Sequence, residues 1–162
     1  MRTKRRQGGV TLIELVVFIV VVSVALVALL SVVNYSLSNS IDPLVRVRLL
    51  ELAQSQLDEV LARKYDENTP TGGVPACGTA NGPACAGIGL DGEDISDAGS
   101  LDDVDDFNGY SDTPYAGYSR SVEVVAAGGD WGVAAAQAKR ITVTVVSPGG
   151  ESLQLSVYRA NF

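Results

Sequence analysis

Hydrophobic residues are concentrated near the N-terminal end of the chain. Between Leu15 and Val33, only Ser23 and Ser31 are polar. Counted from Val10, the apolar segment has 24 residues, and about 20 suffice to cross the ~30 Å hydrocarbon core of a bilayer. A secretory signal peptide usually has a shorter apolar region of about 7–15 residues, followed by a small-residue cleavage site. The pattern therefore predicts a membrane-spanning helix that is retained in the mature protein.

A second helix is predicted from Pro43 to about Lys64, because apolar residues recur there at three- and four-residue spacing. The members of this predicted stripe are Leu50, Ala53, Leu57, Val60 and Leu61. A proline inside a helix costs about 3 kcal/mol, so we expect a kink or short break near Pro43, with Asp42 as the cap of the second helix. The stripe is expected to lie against a globular domain.

The C-terminal third alternates between apolar and polar residues, which is typical of half-buried strands. Three strands are predicted, at Tyr118–Ala126, Lys139–Ser147 and Ser152–Arg159. Ser147-Pro148-Gly149-Gly150 predicts a tight hairpin between the last two. The predicted fold is therefore α+β, with a long N-terminal helix, kinked near Pro43, packed on a small antiparallel sheet.

Trp131, between the first two strands, is expected in the core because a lone Trp is mostly buried; the alternative is that it faces a partner.

Residues 66–117 are rich in Gly, Pro, Asp and Ser and show no long periodic pattern. Long loops of this kind are usually functional or disordered. Cys77 and Cys85 argue for order, because two cysteines in an exported segment favour a disulfide. Free or intermolecular thiols are the alternative. The spacing is not Cys-x-x-Cys, which disfavours a redox catalyst.

An acidic cluster follows the cysteines. Residues 91–112 include nine acidic residues and no basic one. Four of them stand close together: Asp102, Asp103, Asp105 and Asp106. Ca²⁺ takes six to eight oxygen ligands, so a calcium site is one hypothesis, although the EF-hand spacing fails because the sixth position from Asp103 is Asn108 rather than Gly. The favoured alternative is a solvated acidic loop without a cofactor, with its apolar members Val104, Phe107 and Tyr110 against the sheet.

The charge pattern excludes several classes of function. The 162 residues include 12 basic and 19 acidic residues and no histidine, for a net charge of −7. Without histidine, Ser-His-Asp and Cys-His catalysis are absent, as are His-ligated metals, so we expect no enzyme. An acidic surface repels phosphates, so nucleic acid is not an expected partner. Four basic residues precede the apolar segment, which predicts a cytoplasmic N-terminus and an exported head.

One acidic residue interrupts the apolar segment. A carboxylate at mid-membrane costs about 2.5–3.5 kcal/mol on insertion scales. Glu14 lies nearer the cytoplasmic edge, where the cost is smaller, but it still needs a partner, and in the uncut chain Arg5 and Arg6 are the nearest bases. The run Gly9-Val10-Thr11-Leu12-Ile13-Glu14, after a basic leader, resembles the motif of type IV prepilins and type II secretion pseudopilins. The resemblance implies cleavage between Gly9 and Val10 by prepilin peptidase and N-methylation of Val10. It also implies that Glu14, fifth in the mature chain, pairs with the terminal amine of a neighbouring subunit. Val10 departs from the commoner Phe or Met.

Further segments narrow the resemblance to minor pilins of the mannose-sensitive haemagglutinin (MSHA) pilus. They are Arg46-Val47-Arg48, the run from Tyr65 to Pro70, the cysteine pair, and the run from Asp102 to Gly109. This resemblance implies a structural subunit whose partners are other pilin subunits, prepilin peptidase and, before assembly, the inner membrane. The final location implied is a cell-surface pilus, with the head periplasmic beforehand.

The predicted organisation is a leader, a spanning helix, a helix continuing into the head, and the head itself. These are residues 1–9, 10–33, 34–64 and 65–162, the last divided into loops over 66–117 and a sheet over 118–162. Two alternatives stay open for the function. One is a minor pseudopilin of a type II secretion system, and the other is an uncleaved, signal-anchored surface binding protein.

Overall fold

The structure, a computed structural model, describes residues 9–38 and 43–162. These residues form two units, a single helix α1 (Leu12–Ser38) and a head over residues 43–162. The predicted leader falls almost wholly on residues 1–8, outside the described residues. The predicted kink before Pro43, with Asp42 as a cap, falls on residues 39–42 and also lies outside them.

Helix α1 is apolar on every side. Its segment Leu12–Leu37 is long and apolar enough to cross a membrane, and none of it is buried against the rest of the chain. The hydroxyl groups of Ser23 and Ser31 donate to the carbonyls of Ile19 and Val27, at 2.7 and 2.9 Å. Both polar side chains are thus satisfied within the helix, as a hydrocarbon environment demands.

Helix α2 runs from Pro43 to Leu61, with proline at its first position, where its missing N–H is not needed. The predicted stripe is only partly correct. Ala53, Leu57 and Val60 are buried, whereas Leu50 and Leu61 are exposed. The buried face is rotated so that it contains instead Leu49, Leu52 and Gln56.

The helix ends three residues before the predicted Lys64. At that point the chain pairs with a distant loop, because the Lys64 N–H donates to the carbonyl of Asp102 and the Lys64 carbonyl accepts from Val104 N–H, at 3.3 and 3.0 Å. Main-chain pairing with the acidic loop thus replaces the last helical turn.

The head contains one antiparallel sheet of four strands in the order β1-β2-β3-β4. The strands are β1 (Ser111–Asp112), β2 (Ser119–Ala126), β3 (Ala138–Val146) and β4 (Ser152–Ala160). The three predicted strands are confirmed to within one residue at each end, and β1 is an addition of two residues. The predicted hairpin also forms, with Gly150 N–H donating to Ser147 O at 3.0 Å.

The core lies between α2 and one face of the sheet. Ile141, Val143 and Val145 of β3 are fully buried there, as alternation along a half-buried strand requires. Phe107 and Val104 close the core from the acidic loop, and both are fully buried. The α+β prediction, a long N-terminal helix together with a helix packed on a small antiparallel sheet, is therefore confirmed.

The core prediction for Trp131 is wrong. Its side chain is 67% exposed and stands edge-on to the ring of Tyr158, with centroids 5.5 Å apart. The short 3₁₀ turn Gly128–Trp131 carries it outside the sheet, so the alternation of the neighbouring strands does not extend to it.

Candidate functional site

The N-terminal motif contains the start of α1. The hydroxyl oxygen of Thr11 accepts the backbone N–H of Glu14 at 3.3 Å, and the Thr11 carbonyl accepts the N–H of Leu15 at 3.2 Å. Thr11 therefore caps the helix, satisfying one of the N–H groups that a helix start leaves unpaired. Sequence reasoning missed this cap, although Thr-x-x-Glu before an apolar run is the spacing of a capping box.

The predicted processing residues stand on both sides of this cap. Gly9 and Val10 precede it, Glu14 lies in the first turn of α1, and all three are exposed. A Cβ atom added at Gly9 would meet nothing within 4 Å, so the structure does not itself require glycine there. A need for Gly9 would then come from the enzyme that reads it. The roles of Gly9, Val10 and Glu14 in processing and assembly stay predictions.

The predicted disulfide is present between Cys77 and Cys85. The loop it closes is fastened to two other parts of the head. Asn161, after β4, donates its side-chain amide to the carbonyl of Cys77 at 2.9 Å. Asn68 donates its side-chain amide to Ala84 O at 3.0 Å. The bridge thus holds a loop against the end of the sheet, which is a structural role.

The densest part of the acidic cluster, residues 102–106, is largely buried, contrary to the favoured expectation of a solvated loop. Asp103, Asp105 and Asp106 are each at most 1% exposed, and of the four predicted residues only Asp102 is exposed. The reason is that these carboxylates satisfy nearby backbone groups. Asp106 accepts the N–H groups of residues 102 and 103, and Asp103 accepts those of residues 105 and 106. The expectation that Val104, Phe107 and Tyr110 pack inward is confirmed.

A buried lysine holds this loop to the sheet. Lys139 of β3 is 4% exposed, and its ammonium group donates to the carboxylate of Asp105 and to the carbonyl of Tyr65. A second carboxylate oxygen, on Asp66, lies 3.9 Å away, and the Tyr65 ring centroid lies 3.9 Å from Nζ. Asp66 in turn accepts the N–H groups of Asn68 and Ala86, each at 3.0 Å. Lys139 thereby joins the end of α2, the disulfide loop and the acidic loop.

Burial changes the acidity of these groups. It raises the pKa of Asp103 to about 7, and the negative charge of Asp106 adds to the effect. Burial also raises the pKa of Asp105 to about 6, although the hydrogen bond and charge of Lys139 oppose the rise. Burial raises the pKa of Asp106 as well. One oxygen each of Asp103 and Asp105 is buried without a hydrogen-bond partner, which disfavours their ionised forms.

The structure does not bring the four predicted calcium ligands to one point. In the part of the chain that it describes, the carboxylates whose oxygens converge within 4.8 Å are Glu93, Asp102 and Asp106. Asp103 and Asp105 serve the backbone and Lys139 instead. Calcium binding stays a prediction, tested by the melting temperature of the chain in CaCl₂ and in chelator. A bound ion raises the melting temperature by mass action. An unchanged melting temperature would mean that these carboxylates take part only in hydrogen bonding.

Comparison with known proteins gives one match. Residues 4–30 match the family described as the prokaryotic N-terminal methylation motif. No curated protein and no solved structure matches the chain. The N-terminus is therefore type IV prepilin-like, the terminus of pilin and pseudopilin subunits that are processed before assembly. The match covers the start of α1 and its course to residue 30, and it does not reach the head.

Proposed function

We propose that this protein is a minor pilin of an MSHA-like type IV pilus, corresponding to the D-type minor pilin. It is cut after Gly9, methylated on Val10 and assembled through α1. Its role is structural rather than enzymatic. Its partners are prepilin peptidase and other pilin subunits, with the inner membrane as its location before assembly.

The observation that carries the proposal is the coincidence of the motif with an unburied apolar helix. The methylation motif covers residues 4–30, and its residues from Leu12 onward belong to the apolar helix Leu12–Leu37, which is not buried. Apolar area of this extent must leave water, and a bilayer or a bundle of identical helices provides the means. In the proposed pathway, cleavage at the motif precedes the transfer of this helix from the bilayer to the bundle.

The choice of an MSHA-like pilus rests on the resemblance in the head. The segments that carry it are distant in sequence, yet Tyr65, Asp66 and Asp105 meet around Lys139. The disulfide loop contacts the same network through Ala86. Three of the four segments therefore meet in one network, the cysteine pair through Ala86 next to Cys85, which supports reading these three together.

Intact mass tests the processing. We expect protein from native cells to lack residues 1–9 and to carry one added methyl group, and to be full-length in cells without prepilin peptidase. Gly9→Val should block the cut, whereas the matched Gly8→Val should not, because only cleavage after Gly9 makes Glu14 the fifth residue. An uncut wild-type chain would instead indicate a signal-anchored surface protein.

The presence of the protein in sheared filaments tests whether it belongs to the pilus or to the type II secretion system. We expect the protein in pili from wild-type cells, absent from those of cells without the MSHA assembly ATPase, and unchanged when the type II secretion ATPase is deleted. The reverse dependence would identify a minor pseudopilin and overturn the pilus assignment.

A further inference from the structure

The last strand of the sheet, β4, lies at an edge. It is nine residues long, whereas β1 at the opposite edge has two. Proteins usually protect a long edge strand with charged residues, proline or a bulge. β4 contains no proline and pairs with β3 without interruption. Its one charged residue, Arg159, is turned toward α2, where it donates to the carbonyl of Leu61 at 2.6 Å. This edge therefore lacks the features that usually prevent pairing with a further strand.

The hydrogen-bond register shows which main-chain groups of β4 point outward. Asn161 N–H donates to the carbonyl of Gln137 at 3.0 Å, and Ser147 N–H donates to that of Glu151 at 2.8 Å. Residues bonded to β3 alternate with residues turned away from it, so the even-numbered positions between 151 and 161 turn their N–H and C=O groups outward. All of these positions are exposed, and they are Ser152, Gln154, Ser156, Tyr158 and Ala160. Among the described residues, no main-chain hydrogen bond reaches these outward groups.

An exposed aromatic pair stands beside the same edge. Trp131 is 67% exposed and Tyr158 is 44% exposed. Together with Val133, which is 50% exposed, they line a pocket of about 510 Å³ that reaches Ala160. Tyr158 and Ala160 are two of the positions with outward main-chain groups, so a strand added to β4 would pass this pocket. Tryptophan and tyrosine are the residues that most often supply the binding energy of an interface.

The face of β4 toward α2 would also be better covered by a further strand. Leu153, Leu155 and Val157 pack against the core but are only partly buried. Side chains directly opposite one another in paired strands lie about 4.5–5.5 Å apart. A partner strand with apolar residues at alternate positions would therefore remove these three side chains from water.

Charge favours a strand from another protein over a second copy of this chain. Residues 51–162 contain six basic and 17 acidic residues, so two heads repel each other. Beside the pocket itself the charges are balanced, because Asp130 lies 3.5 Å from Arg140 and accepts the hydroxyl of Tyr158 at 2.8 Å. The partner that fits is therefore uncharged where it pairs with β4 and basic at its flanks.

We propose that β4 and the pocket beside Trp131 bind an extended segment of another protein by strand addition. The segment is apolar at alternate positions, places one large apolar side chain in the pocket and has basic flanks. Hydrogen bonds to the outward main-chain groups of β4 give affinity, and the pocket gives specificity. The site lies wholly in the head, so the inference goes beyond the proposed function and does not require processing or assembly.

The test uses the full chain in detergent micelles and the synthetic peptide Lys-Lys-Val-Thr-Val-Phe-Val-Thr-Val-Lys-Lys, acetylated and amidated. The peptide lacks tryptophan, so the emission of Trp131, the one tryptophan of the chain, reports binding. Ser156→Pro removes an outward N–H and none that bonds to β3, a position at which an edge strand tolerates proline. Ser156→Ala is the matched control, because it also loses the hydroxyl but keeps the N–H.

We expect the peptide to shift the emission of Trp131 to shorter wavelengths in the wild type and in Ser156→Ala. Ser156→Pro should raise the dissociation constant at least about tenfold, because it removes one hydrogen bond and obstructs its neighbours. Replacing the phenylalanine of the peptide by alanine should weaken binding to the wild type by a similar factor, because the pocket is then left empty. Amide exchange measured by NMR needs no variant, and the N–H groups of Gln154 and Ser156 should exchange more slowly when the peptide is bound.

Three results would overturn the inference. One is an unchanged emission and unchanged amide exchange in the wild type at millimolar peptide. Another is equal binding of the peptide to Ser156→Pro and Ser156→Ala without protection of the Ser156 N–H. The third is a wild-type dimer in sedimentation that Ser156→Pro separates, which would assign the edge to a second copy. None of these results bears on cleavage after Gly9, which the intact mass tests separately.

Discussion

At the scale of residues, Lys139 connects parts of the head that are distant in sequence. It lies in β3, yet its ammonium group contacts Tyr65, Asp66 and Asp105, which come from loops far away in sequence. Burying one ammonium group with two carboxylates costs several kcal/mol of desolvation, which pairing and hydrogen bonds must offset. Such a network adds little net stability, but removal of one member leaves the others uncompensated.

Lys139→Met should therefore be strongly destabilising. The variant keeps the length of the side chain and leaves Asp105 and Asp66 buried without their cation, at a cost of about 3–5 kcal/mol. Urea unfolding of the full chain in detergent, followed by circular dichroism, measures it. The control is Lys64→Met, because Lys64 binds Glu67 and Asp102 at the surface and such pairs contribute about 0–1 kcal/mol. Similar losses in the two variants would contradict a special role for Lys139.

Stability should also depend on pH through Asp103. The folded head raises the pKa of Asp103 to about 7, above the usual value of about 3.9, so the folded state binds this proton more tightly than the unfolded state. The free energy of unfolding should therefore fall as pH rises from about 4 to 7, by up to about 1.4 kcal/mol per pH unit for one group. The raised pKa of Asp105, about 6, acts in the same direction.

Asp103→Asn removes the titrating proton of residue 103 but keeps the hydrogen bonds that its side chain accepts. The amide oxygen can still accept the N–H groups of residues 105 and 106, while the titrating group is gone. We expect a flatter dependence of the free energy of unfolding on pH between 5 and 8, with the neighbouring Asp105 and Asp106 responsible for what is left. Glu123→Gln, at an exposed strand position, serves as the control. An unchanged slope in Asp103→Asn would show that another group governs the pH response.

At the scale of elements, the pattern of side chains predicts where elements lie better than which way they face. The strands are found to within a residue, because each contains an alternating run, such as Val122-Glu123-Val124 in β2 and the run from Ile141 to Val145 in β3. Helix α2 is harder, because leucines occupy both position 49 and position 50, and periodicity alone does not choose between them. The acidic loop was not predictable, because the partner that buries Asp105 is Lys139, 34 residues away.

The orientation of α2 is testable by paired truncations. Leu57 is 3% exposed and Leu50 is 39% exposed. Leu57→Ala should therefore cost about 2–5 kcal/mol through lost burial and a cavity, whereas Leu50→Ala should cost less than about 1 kcal/mol. Thermal unfolding by circular dichroism compares the two. Equal losses of stability would mean that the buried face of α2 also includes Leu50, as the stripe predicted from the sequence does.

At the scale of the whole molecule, the two units differ in surface character. Helix α1 exposes apolar side chains on all sides, while the head is acidic and buries a cluster of apolar side chains between α2 and the sheet. The basic residues of the leader offset part of this acidity, and removal of residues 1–9 takes four of them away. In the proposed filament the processed chain is more acidic and neighbouring heads repel one another, so we expect cohesion between subunits to come from α1.

In the proposed filament, Glu14 gives this cohesion its specificity, and Glu14→Gln isolates the effect of its charge. The Thr11 cap uses the backbone N–H of residue 14, so the variant keeps the helix start and the shape of the side chain. Processing should proceed normally. Incorporation into filaments, measured by quantitative mass spectrometry of sheared pili, should fall at least about tenfold, equivalent to about 1.4 kcal/mol, because the amine of a neighbouring subunit loses its counter-charge. Glu14→Asp, which keeps the charge, should recover part of the incorporation. Equal incorporation of wild type and Glu14→Gln would mean that apolar packing alone selects the subunit.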